Sequence, residues 1–158
     1  VSQAGDVKVL IVRNGQLVFE SMDQSLVQEL VNKGGLSQDE ALYYPYRNVV
    51  QNHVGKDKHT PRIFDPIPLE NGDLVIIMTD GISDNLTPQE IIKVIRGAKR
   101  KQIIQVISKV TGTRMKNYKK IKNETQIAGG RQKLGEFSDG FKPEPKPDNR
   151  GIAVIEIN

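Results

Sequence analysis

The sequence of 158 residues has no cysteine and no tryptophan, and aromatic side chains make up only 5% of it. The lack of cysteine excludes a thiol nucleophile, a cysteine-based zinc site and a disulfide framework, and it is typical of a reducing compartment. With so few aromatic rings, the hydrophobic core must be aliphatic. No apolar run approaches the roughly 20 residues that span a bilayer, and no secretory signal opens the chain. We therefore expect a cytoplasmic protein with no membrane partner.

Acidic residues are missing from one long segment, residues 91–123, which carries 11 of the 23 lysine and arginine residues. The remainder has 12 basic residues and all 19 acidic ones, so the body of the chain is acidic. A basic block is usually a solvated face or a flexible loop, and the alternative is a patch that binds phosphate or nucleic acid. Tyr118 is its only aromatic residue, which leaves little to stack on bases. We expect no nucleic-acid partner.

Short strands and helices alternate in the first half of the chain. Asn14-Gly15 is a dipeptide that suits a tight hairpin between two strands. Ser25 and Ser37 each begin a capping-box pattern, which predicts that a helix follows. The predicted elements are strands at residues 7–12 and 16–20, a helix from Leu26 to the Gly34-Gly35 pair, a short helix that stops before Pro45, and a strand at 63–67.

The second half begins with a continuous apolar run at residues 74–78, as expected of a strand buried on both faces. A capping box at residues 87–90 precedes a helix, and apolar residues at helical spacing predict another helix over 103–110. Residues 111–146 are polar and rich in glycine, proline and lysine, and we interpret them as a long loop or partly disordered insert. A strand at residues 152–157 ends the chain.

Aspartates stand at the ends of three predicted strands. Asp80 directly follows a buried strand, where a carboxylate is costly unless it is paired or bound to a cation. Asp148 lies shortly before the last strand, and Asp6 precedes the first. Three such carboxylates could converge on a hard cation such as Mg²⁺ or Mn²⁺. The alternative is that each aspartate is a turn or cap residue beside glycine or asparagine, and the pattern alone leaves both open.

The motifs around these aspartates resemble those of the metal-dependent protein serine/threonine phosphatases of type 2C (the PPM family), especially their bacterial members. Each motif alone is weak, but six occur in the family's order and span most of the chain. The similar segments are Gly5-Asp6-Val7-Lys8 (family pattern G-D-S-R), residues 23–31, residues 35–41 (G-x-I-T-x-E-E-A), residues 45–50 (H-P-x-R-N-V-L, preceded here by Tyr44 in place of histidine), residues 72–84 (G-D-x-L-L-L-C-S-D-G-L-T-D) and residues 147–149 (x-D-N before the last strand).

The resemblance implies an α+β fold and a metal-dependent reaction. The implied fold is a β-sandwich of two mainly antiparallel sheets flanked by helices, in four layers (α/β/β/α). Two Mg²⁺ or Mn²⁺ ions between the sheets would activate a water that attacks phosphoserine or phosphothreonine on proteins, so no side chain of the chain itself would be the nucleophile. Asp80 and Asp148 would be metal ligands, supported by Gly81 and Asn149, and Asp6 would belong to a third, weaker site.

A flap beside the active site is also implied, over residues 36–54, where Tyr44, Arg47 and Asn48 would meet the substrate. The partners implied are phosphorylated proteins, among them a serine/threonine kinase and its substrates. Mobile flaps of this kind are a place for substrate selection.

Several departures from the family pattern bear on activity. The family's D-G-x-G-G motif, whose aspartate bridges the two metals, has no counterpart here, so we interpret residues 1–158 as the C-terminal two-thirds of one domain, incomplete at its N-terminus. Arg150-Gly151 intervenes before the last strand, and a basic, partly flexible insertion is expected over about residues 98–146. The alternative to an enzyme is therefore an inactive fragment or pseudophosphatase that binds phosphoproteins as a regulatory module.

Overall fold

Two antiparallel sheets and a set of helices make up the part of the chain that the structure describes, so the α+β prediction is confirmed. The computed structural model describes residues 1–41, 44, 46–127 and 148–158, with the backbone alone at 38–39 and 117–127. Within them the strands are β1 (Ser2–Gln3), β2 (Lys8–Arg13), β3 (Gln16–Glu20), β4 (Arg62–Ile63), β5 (Leu74–Met78) and β6 (Ile152–Glu156). The helices are α1 (Leu26–Asn32), α2 (Gln38–Ala41), α3 (Asp80–Ser83), α4 (Pro88–Ile95) and α5 (Ile103–Ile127), with a 3₁₀ turn at Arg100–Gln102.

The larger sheet has the strand order β3-β2-β5-β6, and all of its neighbouring strands are antiparallel. Lys8 of β2 and Ile152 of β6 both lie opposite Met78 of β5. The starts of β2 and β6 therefore share one end of the sheet with the end of β5, and we call it the Met78 end. The opposite end, where β5 begins after Asp73, is the Asp73 end.

The strand predictions differ from the structure mainly at residues 63–67. The predicted strands at 16–20 and 74–78 agree with β3 and β5 residue for residue, and the hairpin between β2 and β3 has positive φ at Asn14 (49°) and Gly15 (74°). β4 ends at Ile63, so the prediction is wrong beyond that residue. The prolines of the following segment explain this, because proline cannot donate to a strand ladder.

The predicted helix starts are confirmed, with one difference in detail. At residues 37–40 and 87–90, the N-cap hydroxyl accepts from the amide three residues on, and that residue's glutamate accepts from the N-cap amide. At Ser25 only half of this exchange is present. Its hydroxyl accepts from the Gln28 amide at 3.1 Å, whereas the Gln28 side chain donates to Asn32.

One face of the larger sheet packs against α4 and α5 to form the core. The buried side chains of this core are those of Leu10, Val12, Leu74, Ile76, Met78, Ile82, Leu86, Ile91, Ile92, Ile95, Ile103 and Ile107. None is aromatic, as the composition predicts. The expectation that β5 is buried on both faces is wrong, because α4 and α5 cover only the face that carries Ile76. Val75 and Ile77, on the other face, are partly exposed.

Helix α5 runs to Ile127, so the predicted loop is wrong for residues 111–127, and residues 128–147 lie outside the described residues. Beyond residue 110, where the apolar pattern ends, contacts with other parts of the fold stabilise the helix. Thr111 is fully buried and donates to the Ile107 carbonyl at 2.9 Å, and Arg114 pairs with a carboxylate of α4. In the part of the chain that the structure describes, no helix combines the length and the apolar character that crossing a bilayer requires.

An ion pair between Arg13 and Asp73 closes the Asp73 end of the sheet. The Asp73 carboxylate is buried and accepts hydrogen bonds from Nε and Nη2 of Arg13 at 2.9 and 2.8 Å and from the Glu70 amide at 2.9 Å. These donors lower the pKa of Asp73 from 3.8 to about 2. A carboxyl whose pKa is lower in the folded state stabilises the fold at pH values above its unfolded pKa. This stabilisation is lost as the pH falls through the folded pKa.

We expect the thermal midpoint, Tm, to show this pH dependence. Asp73→Asn should lower Tm by about 5–10 °C at pH 7, because it removes the buried charge that accepts two hydrogen bonds from Arg13 and leaves that guanidinium paired with the exposed Glu70 carboxylate. The difference in Tm between the parent and the variant should narrow as the pH falls from about 4 to about 2. Asp65→Asn, at an exposed position, is the control and should leave Tm nearly unchanged. A difference that stays constant from pH 7 to pH 2 would contradict this account.

Candidate metal centre

The Met78 end of the sheet carries all three aspartates singled out from the sequence. β5 ends two residues before Asp80, while β2 and β6 begin shortly after Asp6 and Asp148. Because β2, β5 and β6 are neighbours in the sheet, the topology brings the three residues to adjacent strand ends. Among the described residues, however, no group of three His, Cys, Asp or Glu side chains lies close enough to hold a metal ion. The complete three-carboxylate cluster is therefore not formed.

Asp80 and Asp148 belong to two backbone segments that pack directly on each other. A methyl group at Gly81 would lie 2.4 Å from the Asn149 carbonyl oxygen and 3.4 Å from Cβ of Asp148. Only glycine fits at this position without a backbone shift. The close approach joins Asp80-Gly81 to Asp148-Asn149, as expected if two ligands are to share one ion.

Each of these carboxylates also fixes its own turn. Oδ1 of Asp80 accepts from the Gly81 amide at 2.8 Å, and Oδ1 of Asp148 accepts from the Asn149 amide at 2.7 Å. Both side chains therefore have a set orientation relative to the backbone. Carboxylate oxygens are the ligands that Mg²⁺ and Mn²⁺ prefer, so the donor set fits a hard divalent cation.

Thr79 ties the Asp148 segment to β5, and the sequence reasoning missed it. Its amide donates to the Gly151 carbonyl at 3.0 Å, and its hydroxyl accepts from the Gly151 amide at 3.0 Å. A methyl group at Gly151 would lie 2.8 Å from Cγ2 of Thr79, so a side chain there would disturb the contact. The sequence holds no clear signal for this pair, because the two residues are 72 positions apart.

Asp6 has its own support on the far side of β2. It follows Gly5, whose φ of 102° is a conformation that favours glycine. The Gly5 carbonyl accepts from the Gln24 amide at 3.0 Å, which connects this turn to the segment before α1. Asp6 is half-buried, and the structure places it in no metal-binding group with Asp80 and Asp148.

The predicted flap, residues 36–54, is attached to the body at its second half. The Leu26 amide donates to the Val49 carbonyl at 3.0 Å, next to a bridge between Ser25 and Val50. Tyr44 is half-buried and its ring contacts that of Tyr46 at a centroid distance of 6.0 Å.

The flap residue Arg47 points inward, whereas Asn48 is exposed. The Arg47 side chain is 9% exposed, and its Nε lies 3.8 Å from Oδ2 of Asp84. Because the Asp84 amide donates to the Asp80 carbonyl at 2.8 Å, this ion pair links the flap to the turn that carries Asp80.

A cavity of about 80 Å³ lies behind the flap, and its lining includes Lys8, Asp23, Arg47 and Asp84. Lys8 is buried there, with Nζ 3.2 Å from Glu20 and 3.5 Å from Asp23. The carboxylates offset the two cations, so the cavity does not present the excess positive charge that an anion would need. Sequence reasoning missed it, because these residues are brought together from β2, the segment before α1, the flap and the segment after α3.

Comparison with known proteins finds similarity to bacterial phosphatases over part of the chain. No family model matches the chain. A putative protein phosphatase 2C-type from Streptococcus pyogenes is 30% identical over 91 residues, which are 58% of this chain and 37% of that protein. The protein phosphatase PhpP of Streptococcus pneumoniae is 29% identical over 87 residues, or 55% of this chain and 35% of the relative.

A solved structure gives the same result. The serine/threonine phosphatase of S. agalactiae superposes with a TM-score of 0.59 at 28% identity, over 72% of this chain and 47% of that chain. The curated homologues and structural neighbours are thus PP2C-type serine/threonine phosphatases of bacteria, which confirms the resemblance and the fold over part of this chain. The chain spans between about a third and two-fifths of the length of the curated relatives it matches.

Proposed function

We propose that this chain supplies Asp80 and Asp148 to the metal centre of a protein serine/threonine phosphatase. The observation that carries the proposal is the contact of Gly81 with Asn149, which packs the two predicted ligand segments on each other. The similarity to PP2C-type phosphatases supports the same reaction. We also propose a location in the cytoplasm, and the lack of cysteine in this sequence supports it.

Asp80 and Asp148 would hold Mn²⁺ or Mg²⁺ through their carboxylate oxygens, in a centre of two ions, with Asp6 at a third, weaker site. When bound, such ions lower the pKa of a water and neutralise charge on the phosphoryl oxygens. The chain's own residues position this chemistry. Thr79 holds the Asp148 segment against β5, and the turn hydrogen bonds set the direction of each carboxylate.

The substrates in this proposal are proteins that carry phosphoserine or phosphothreonine, including a kinase and its targets. Tyr44 and Asn48 of the flap would contact them. Arg47 would act on the substrate through the position of the flap, because its side chain is turned toward Asp84.

A second candidate is a phosphoprotein-binding module that lacks turnover. It is favoured by the absence, among the described residues, of a third carboxylate close enough to complete a metal site with the other two. Such a module would be an inactive fragment or a pseudophosphatase, and it would keep the flap and its contacts.

The test measures hydrolysis and binding side by side on the whole polypeptide that contains this chain. We expect release of phosphate from a phosphoserine peptide with added Mn²⁺, and loss of that activity when the metal is chelated. An unphosphorylated peptide of the same sequence is the control for binding. Binding of the phosphopeptide without hydrolysis at any metal concentration would favour the second candidate. If the polypeptide neither bound nor hydrolysed the phosphopeptide, both candidates would be overturned.

A further inference from the structure

Arg150 connects the Asp148 segment to helix α5. It lies two residues after Asp148, and its Nη1 donates to the Ser108 carbonyl of α5 at 2.5 Å. The same guanidinium passes over Gly112, where a methyl group would lie 2.7 Å from Nη1. The arginine therefore occupies the space that any larger residue at 112 would fill.

Gly112 stands in the interior of a long helix, where glycine is the least favourable residue apart from proline. The contact with Arg150 supplies a reason for it. Four residues earlier, the Ser108 carbonyl is available to the guanidinium on the same helical face. Ser108 and Gly112 together form the place on α5 where Arg150 docks.

The Asp148 segment is thus attached on two sides. Thr79, directly after β5, binds Gly151, and α5 binds Arg150, the residue directly before Gly151. These attachments lie between Asp148-Asn149 and the first residue of β6. They fix the backbone that must keep Asp148 against Gly81. Arg150-Gly151 is also where this sequence departs from the family pattern, so the attachment to α5 is a feature of this chain.

We propose that Arg150 is a positioning residue for the metal centre: by docking on α5 at Ser108 and Gly112, it holds the Asp148 carboxylate beside Asp80-Gly81. The proposal rests on the proposed function for its metal, but the docking itself is a property of the chain. Removing the docking should loosen the Asp148 segment and weaken metal binding while the core stays intact, because Arg150 is exposed and outside the core.

Two variants remove the docking in different ways. Arg150→Ala deletes the guanidinium, and Gly112→Ala fills its place with a methyl group while favouring the helix. The matched controls are Arg96→Ala, at another exposed arginine, and Gly97→Ala, where a methyl group would meet nothing within 4 Å. The controls should behave as the parent in every measurement below except for small changes in Tm.

Three measurements are made on the whole polypeptide: exchange of the Gly151 and Thr79 amide hydrogens, the affinity for Mn²⁺ by calorimetry, and Tm. Both docking variants should exchange these amides about fivefold faster and bind Mn²⁺ about fivefold more weakly, as expected for one lost hydrogen bond. Gly112→Ala should nevertheless leave Tm nearly unchanged, because the gain in helix propensity of about 1 kcal/mol offsets the lost hydrogen bond. A general loss of stability could not explain weaker metal binding in a variant that is as stable as the parent. The variant that carries both changes should bind Mn²⁺ no more weakly than either single variant, because both changes remove the same contact.

The outcomes separate the two proposals. Unchanged amide exchange in both docking variants overturns the positioning role, whatever the metal does. If the amides exchange faster in both docking variants but the parent itself binds no Mn²⁺, the docking is upheld and the metal centre is overturned. Faster exchange with unchanged Mn²⁺ affinity would show that Asp148 binds without the docking, and would overturn Arg150 as a positioning residue.

Discussion

Asp80→Asn is expected to lower Mn²⁺-dependent hydrolysis of a phosphoserine peptide by about 100-fold or more. The reason is that a neutral amide replaces a charged ligand, and even residues that only support a ligand cost 10- to 100-fold when they are changed. The side chains are nearly equal in size, so the fold should persist. Initial rates over a range of Mn²⁺ concentrations are the measurement, since a weakened ligand should also raise the metal concentration needed for half-maximal activity.

Asp148→Asn should lower the rate of hydrolysis by a similar factor. The two changes together should lower it little more than either alone, because each change by itself already disables the same metal centre. Asp65→Asn is the matched control, since it makes the same change at an exposed carboxylate that is not one of the proposed ligands. If Asp80→Asn kept more than about a tenth of the parent's rate at every Mn²⁺ concentration, Asp80 could not be a ligand of the reacting centre.

Among the glycines that the structure describes, Gly81 is the one where an added methyl group should have the largest effect, so Gly81→Ala is the second expected result. The new Cβ would lie 2.4 Å from the Asn149 carbonyl oxygen, and that oxygen belongs to the backbone. One of the two segments must move, so Asp80 and Asp148 separate. We expect Mn²⁺ affinity and activity to fall about 100-fold, and stability to fall by about 1–3 kcal/mol, the usual cost of overpacking.

Calorimetric titration with Mn²⁺ and a urea unfolding curve measure the two effects of Gly81→Ala separately. Gly97→Ala adds the same methyl group in open space and should leave metal affinity unchanged. A Gly81→Ala protein with the parent's Mn²⁺ affinity would show that the two segments need not touch for metal binding. The contact of Gly81 with Asn149 would then no longer support the proposed function.

Local patterns predicted most of the regular structure, because the determinants lie within a few residues. β3 and β5 follow from short apolar runs beside turn dipeptides, and the start of α4 follows from the capping box at residues 87–90. The family resemblance then placed Asp80 and Asp148 as ligands, and the topology brings them to one end of the sheet. The ligand roles themselves stay predictions until metal binding is measured.

The error at α5 comes from contacts between residues that are distant in the sequence, whereas the error at residues 63–67 has a local cause in the prolines that follow β4. α5 extends past its apolar face because Thr111 is buried and Arg114 pairs with Glu90, and neither contact is visible in periodicity. The docking of Arg150 on Gly112 could not be predicted either, because it joins positions 38 residues apart in number and no local rule pairs an arginine with a helical glycine.

The ion pair of Arg13 with Asp73 and the carboxylates Asp80 and Asp148 lie at opposite ends of the same sheet. Asp73 and Asp80 are separated by the five residues of β5 and by Thr79, which corresponds to about 20 Å or more of extended chain, well beyond the distance at which substitutions influence each other. Resistance to acid and the proposed metal binding therefore depend on separate groups of residues. Mutations at the Asp73 end should raise or lower the stability of the protein while the proposed metal ligands stay unaltered, so the two properties can change independently during evolution or engineering.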